Sequence, residues 1–300
     1  MVRFLREARS VGEYCAAIFL DIKGAFDYAW WPGIRAAIAR RGCTGDLYAL
    51  LSSYLQERTV EVEVAGKRVT RRAERGCPQG SRSGPGMWRI LYGGLLEEEM
   101  PTGCRVIAFA DDTTLLVRAK QYKEIKSRAN AALGKIEEWA GRTKLQFNPS
   151  KSVALFYGRS LSQARPPFRM GNQYIHCRER HTYLGVVLDE RLDWSPQIEA
   201  VVAKSRGVTR RVAAISRPTW GLGRTAAKVI YEHALYPALT YGAEVWGGIR
   251  TVKQRNRLRT AQRPAAIAAA GVYRSVSTEA ALVIAGLPPL DIMVQERATF

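Results

Sequence analysis

Asp111 and Asp112 stand side by side in Phe109-Ala110-Asp111-Asp112, between the apolar runs Val106-Ile107-Ala108 and Leu115-Leu116-Val117. Adjacent carboxylates at the tip of an apolar hairpin are costly, because like charges repel and burial penalises each one. A divalent cation relieves that cost, and an all-oxygen site suits Mg²⁺. A third acid, Asp21, ends another apolar run, Ala16-Ala17-Ile18-Phe19-Leu20. One acid at a strand end plus an Asp-Asp hairpin can hold two metal ions, the arrangement used for nucleotidyl transfer. Asp21 and Asp111 are the expected ligand pair. Asp112 is a weaker or indirect ligand, and the carbonyl of Ile22 is within reach of an ion.

The elements that must position these acids are legible from periodicity. Residues 16–22 read as a buried strand, and 105–118 as the acidic hairpin. Helical spacing covers 33–41 and 47–55. Thr59 to Val64 alternates, with Val60, Val62 and Val64 on one face and Glu61 and Glu63 on the other. Ala65-Gly66-Lys67 then turns the chain into a second strand, 68–73. That hairpin carries Arg71 and Arg72, which either face phosphate or guard an edge strand against unwanted pairing. A breaker-rich loop, Gly76-Cys77-Pro78-Gln79-Gly80-Ser81, precedes a helix that Pro85 can start. Ile125, Ala129, Leu133 and Ile136 mark an amphipathic helix over 122–139. Strands are expected at 152–157 and 183–188, with a hairpin over 168–174. From 196 onward the pattern is helical: 197–215, 224–236, 251–270 and 277–285. The fold class is therefore α+β, with a boundary near 190–195 that divides the chain into 1–192 and 193–300.

Composition narrows the partners. Among 300 residues, 46 Lys and Arg against 27 Asp and Glu give a formal net charge of +19. Such an excess points to a polyanion, most often nucleic acid. The cysteines are five, scattered and without a CxxC pair, which argues for a reducing, intracellular setting over a disulfide framework. No apolar run reaches the roughly 20 residues of a membrane span. His176-Cys177-Arg178-Glu179-Arg180-His181 lacks the second ligand pair of a zinc site.

Taken in order, the motifs resemble those of non-LTR (LINE-type) retrotransposon reverse transcriptases of the arthropod type-1 kind. Phe19-Leu20-Asp21-Ile22-Lys23-Gly24-Ala25-Phe26-Asp27 resembles their first catalytic motif. Gly76-Cys77-Pro78-Gln79-Gly80-Ser81-Arg82-Ser83-Gly84-Pro85 resembles the second, and Phe109-Ala110-Asp111-Asp112 the third. Leu145-Gln146-Phe147-Asn148-Pro149-Ser150-Lys151-Ser152 resembles the fourth, and Tyr183-Leu184-Gly185-Val186-Val187-Leu188-Asp189 the primer-grip region. The segments 235–246 and 273–278 resemble the thumb and its downstream neighbour. Each motif is short, but the series is specific.

The resemblance implies a polymerase palm, a small antiparallel sheet backed by helices, followed by a helical thumb. It implies RNA-templated DNA synthesis: addition of dNMP to a primer 3′-OH with two Mg²⁺ ions, or Mn²⁺ as substitute. Phe26 would exclude ribonucleotides by clash with a 2′-OH. Gln79 and Gly80 would pack on the incoming nucleotide, and Lys151 would protonate the leaving pyrophosphate. In the thumb, Lys253 and Arg257 are candidates for the template–primer phosphates. Implied partners are an RNA template, a DNA primer and dNTPs, with the nucleus as the parent element's compartment. The family's upstream fingers, endonuclease and Cys/His knuckle are expected elsewhere in a parent polyprotein. Arg89 stands where the family usually has Asn. Two rival readings remain at this point: a catalytically inactive nucleic-acid-binding remnant, and a domesticated interaction scaffold.

Overall fold

In a computed structural model, residues 1–78, 80–158, 164–215, 223–248 and 251–299 are described; they fall into two compact units, Met1–Glu179 and Arg180–Phe300. The first unit opens with α1 (Val2–Ser10), β1 (Tyr14–Leu20), α2 (Trp31–Arg40) and α3 (Gly45–Tyr54). A hairpin of β2 (Thr59–Val64) and β3 (Lys67–Arg72) leads to α4 (Gly84–Leu96). Then come β4 (Cys104–Phe109), β5 (Asp112–Ala119), α5 (Tyr122–Thr143), β6 (Val153–Tyr157), β7 (Phe168–Met170) and β8 (Gln173–Ile175).

Four strands form one antiparallel sheet in the order β4-β5-β1-β6. β1 is central, and this explains its unbroken apolar run: both of its faces are buried. Ala16, Ile18 and Leu20 join a core with Leu115 and Val117 of β5 and Ala154 and Phe156 of β6. Helices α4 and α5 supply Trp88, Leu91, Tyr92 and Leu95, and Ile125, Ala129, Leu133 and Ile136, to that same core. The three- and four-residue spacing of the α5 set is what places it on one face. Each large apolar side chain buried in this way contributes about 1.5–3 kcal/mol.

The β2–β3 ribbon lies apart from this sheet, and every residue of both strands is exposed. Cross-strand partners share a face. Val60/Arg71, Val62/Val69 and Val64/Lys67 therefore make one face, and Thr59/Arg72, Glu61/Thr70 and Glu63/Arg68 the other.

The second unit begins with β9 (Arg180–Tyr183) and β10 (Val186–Asp189), then α6 (Ser195–Ile215), α7 (Arg224–Ile230), α8 (Tyr236–Leu239) and α9 (Ala243–Trp246). It ends with α10 (Val252–Ala270), α11 (Thr278–Ala285) and α12 (Leu290–Thr299). The continuous strand expected over 183–188 is instead a hairpin turn. Leu184 and Gly185 adopt φ of 46° and 76°, and Tyr183 pairs with Val186 across them. Positive φ at both central residues is the two-residue turn whose twist matches antiparallel strands. The expected helix over 224–236 is likewise interrupted, by a π turn at Tyr231–Leu235 just before Pro237. Proline has no N–H for the regular helical bond, so the widened turn accommodates it. Helix α10 is the hub, packed against α6, α7, α11 and α12. Its Gln262 donates to Tyr231 Oη and the Pro288 carbonyl and accepts from the Leu290 N–H. Among the described residues, no helix is long and apolar enough to cross a membrane.

Candidate active site

Three carboxylates lie at one end of the palm-like sheet. Leu20 pairs with Thr113, and continuing that register by one residue sets Asp21 across from Asp112. Phe109 pairs with Asp112, so Ala110 and Asp111 form the hairpin tip. The sequence-expected trio Asp21, Asp111 and Asp112 is thus brought together by two neighbouring strands. Asp21 is half-buried, and Asp111 and Asp112 are exposed. The Asp112 carboxyl is pushed above the ordinary carboxylate range, first by partial burial and then by the charges of Asp111 and Asp21. That is the electrostatic stress a cation would relieve.

The main chain around Asp21 is fixed from the next strand. Its N–H donates to Ser152 Oγ at 3.1 Å, and its carbonyl accepts from Asn148 N–H at 2.7 Å. Ile22 forms a bridge with Phe147, and Lys23 N–H donates to the Gln146 carbonyl at 2.8 Å. Ser152 Oγ in turn donates to the Asn148 carbonyl at 2.8 Å. Lys151, exposed, precedes Ser152 and so stands at the same end of the sheet.

The hairpin tip is held from below. Ala110 has φ 55°, a left-handed conformation that costs a non-glycine residue about 1–2 kcal/mol. Its carbonyl accepts the indole Nε1–H of Trp88 at 3.0 Å. The Trp88 ring stacks on Phe26, with centroids 5.1 Å apart, and on Tyr92, also at 5.1 Å. Tyr92 Oη bonds Thr113 Oγ1, next to Asp112, and burial raises the Tyr92 pKa above that of a free phenol. A column of rings therefore runs from Phe26 to the acidic hairpin. Sequence reading placed Phe26 but missed Trp88 and Tyr92. The available signal was their four-residue spacing on one helix face. Arg89 is exposed, so the departure from Asn does not enter this packing.

The loop after β3 docks on the segment just beyond Asp21. Gly76 N–H donates to the Ala29 carbonyl and Cys77 N–H to the Phe26 carbonyl, each at 2.8 Å. A Cβ on Gly84 would lie 2.7 Å from the Pro78 carbonyl and 2.9 Å from Ser81 Oγ, so only glycine fits. Gly80 has φ 80° and open space around it, whereas Gln79 lies outside the described residues. The more distant candidates are placed separately. Arg71 and Arg72 are on β3 in the first unit, and Lys253 and Arg257 on α10 in the second. Arg257 is paired with Glu199 at 2.8 Å.

The donor set is all oxygen, which fits Mg²⁺ or Mn²⁺. Among the described residues, however, no three Asp, Glu, His or Cys side chains form a group able to hold an ion unaided. A site of one or two carboxylates completed by substrate phosphates is the usual arrangement for Mg²⁺.

The family described as reverse transcriptase (RNA-dependent DNA polymerase) matches residues 2–188. The chain belongs to the reverse transcriptase family. The match spans α1 to β10 and takes in all three carboxylates. Curated relatives extend the likeness into the second unit. One is a 115 kDa protein in the type-1 retrotransposable element R1DM of Drosophila melanogaster, 30% identical over 94% of this chain and 27% of its own length. Another is the retrovirus-related Pol polyprotein from the type-1 element R1 of Bradysia coprophila, 29% identical over 95% of this chain and 28% of its own length. The RNA-directed DNA polymerase from the mobile element jockey of Drosophila melanogaster is 29% identical over 87% of this chain and 29% of its own length. The chain thus spans under a third of these relatives. Among solved structures, apo telomerase from Candida tropicalis superposes over 99% of this chain and 50% of its own, with TM-score 0.50 and 12% identity. The fold of this reverse transcriptase chain is accordingly a small antiparallel sheet with helices.

Proposed function

We propose that this chain performs RNA-templated DNA synthesis, adding dNMP to a primer 3′-OH, as part of a non-LTR retrotransposon polyprotein. The observation that carries the proposal is the placement of Asp21, Asp111 and Asp112 at one sheet end, where partial burial and then the charges of Asp111 and Asp21 raise the Asp112 pKa. The family match over residues 2–188 supports it. Asp21 and Asp111 would hold two Mg²⁺ ions, for which Mn²⁺ can substitute, with Asp112 and the Ile22 carbonyl as supporting ligands. When bound, the ions lower the pKa of the attacking hydroxyl and neutralise the departing pyrophosphate.

The chain's own residues then do the rest. Phe26, braced by Trp88, closes the space beside the sugar C2′ and rejects a 2′-OH. Gln79 and Gly80 support the nucleotide and template, and Lys151 delivers a proton to the leaving group. The helical second unit serves as thumb, with Lys253 on the duplex phosphates beside Arg257. On the ribbon, Arg71 and Arg72 contact the same nucleic acid. The parent element works in the nucleus.

The test is incorporation of labelled dNMP into a DNA primer annealed to homopolymeric RNA, with Mg²⁺ present. Incorporation should track the template base. Template-independent addition, or none at all, contradicts the proposal.

A further inference from the structure

A cavity of about 670 Å³ opens in the first unit, and small-ligand sites run roughly 300–1,000 Å³. Asp21, Phe26, Asp111, Asp112 and Lys151 are not among its lining residues. Its floor is apolar, with Leu145, Phe147 and Met170 buried there. Its walls include the rings of Tyr28 and Trp30 and two cations, Arg75 and Lys144.

The cationic wall is built rather than incidental. The Arg75 guanidinium lies 5.3 Å from the Tyr28 ring centroid, and the Arg75 main chain bridges to Trp30. Lys144 caps α5 at φ 59°, a left-handed position where glycine is the usual choice. The one acid of the lining, Glu137, accepts a hydrogen bond from Gly171 N–H at 2.8 Å, so part of its charge is spent on the wall.

We infer that this cavity binds a nucleoside polyphosphate, with its phosphates on Arg75 and Lys144 and its base against the rings of Tyr28 and Trp30. An inorganic anion would leave the exposed Tyr28 ring uncovered, and a neutral ring would leave the cations unused. A nucleotide satisfies both, and guanidinium is the favoured phosphate partner. The occupant would lie against the chain that holds Asp21. Gln146 and Phe147 line the cavity and pair with Lys23 and Ile22, and Pro149 comes directly after Asn148, which donates to the Asp21 carbonyl. Occupancy of the cavity requires no polymerisation.

Calorimetric titration with ATP in EDTA, at about 150 mM salt to screen diffuse attraction, tests it. EDTA removes ion-dependent binding at the carboxylates. One site is expected, weakened at least about tenfold by Arg75→Ala and by Gly141→Phe. Gly141 lines the cavity and is exposed, and its Cβ would have nothing within 4 Å, so the added ring blocks the mouth without disturbing the helix. Asp111→Asn and Lys253→Ala should leave binding unchanged. Absence of binding overturns the inference, as does equal loss in Lys253→Ala or loss in Asp111→Asn. Equal affinity for inorganic triphosphate would reduce the cavity to a bare anion site. Tighter binding of a short RNA would make it a strand groove. Either result overturns the nucleotide assignment.

Discussion

The indole of Trp88 donates to the carbonyl of Ala110 at 3.0 Å while its ring stacks on Phe26. One side chain thereby ties the expected sugar-excluding ring to the tip that presents Asp111. Trp88 is 2% exposed, so its position is fixed by the core. Trp88→Phe keeps a ring against Phe26 but loses the donor. It should cost about 1–3 kcal/mol of stability, for the lost hydrogen bond together with the space the smaller ring leaves in the core. It should also weaken terbium binding, a stand-in for the divalent ion read by luminescence, more than an equally destabilising core change such as Leu133→Val does.

The raised Asp112 pKa has a definite sign in stability. The folded state holds this proton more tightly than the unfolded chain does. Stability therefore falls as pH rises from the ordinary carboxylate range through the raised value, and is level above it. Asp112→Asn should remove that slope and raise Tm at pH 7 in EDTA. Added Mg²⁺ should raise the Tm of the wild type more than that of the variant. Thermal melts over pH 3–8 would show both effects, about pH 3–5 being where an unperturbed carboxylate titrates.

Phe26→Val should open the space beside the sugar. The preference for dNTP over rNTP, measured as the ratio of kcat/KM values, should drop at least about tenfold, or about 1.4 kcal/mol. Incorporation of dNTP should fall far less. An unchanged ratio would assign Phe26 to packing against Trp88 alone.

In α10, Lys253 is exposed and forms no ion pair among the described residues, whereas Arg257 is held by Glu199. If the second unit grips duplex phosphates, Lys253→Ala should weaken RNA–DNA binding across sequences and reduce the salt slope by about 1. Arg257→Ala should change the slope less, because exposing the Glu199 carboxylate replaces an existing pair.

The placement of the candidate carboxylates was legible because Asp21 and Asp111 each end an apolar run, and strand ends are where a sheet can present acids without burying them. The central strand declared itself by lacking alternation. Trp88 was hidden because an aromatic residue on an apolar helix face looks like ordinary core until its N–H finds a partner. The hairpin at Leu184-Gly185 was missed because apolar residues continue on both sides of the turn, although Gly185 was the marker. Alternation in Thr59–Val64 gave the period of the strand but said nothing of what covers it, and Val60, Val62 and Val64 are each more than half exposed, at 53%, 52% and 63%. Nor does charge in a sequence tell a cation with an ion-pair partner from one with none among the described residues, as Arg257 and Lys253 show.

The most direct measurement is primer extension on an RNA template with dNTPs and Mg²⁺, with wild type and Asp111→Ala compared side by side. Template-dependent extension is expected from the wild type and none above background from the variant, with RNA–DNA binding retained in both. Extension that survives in Asp111→Ala would contradict the assignment of the carboxylate cluster as the catalytic centre.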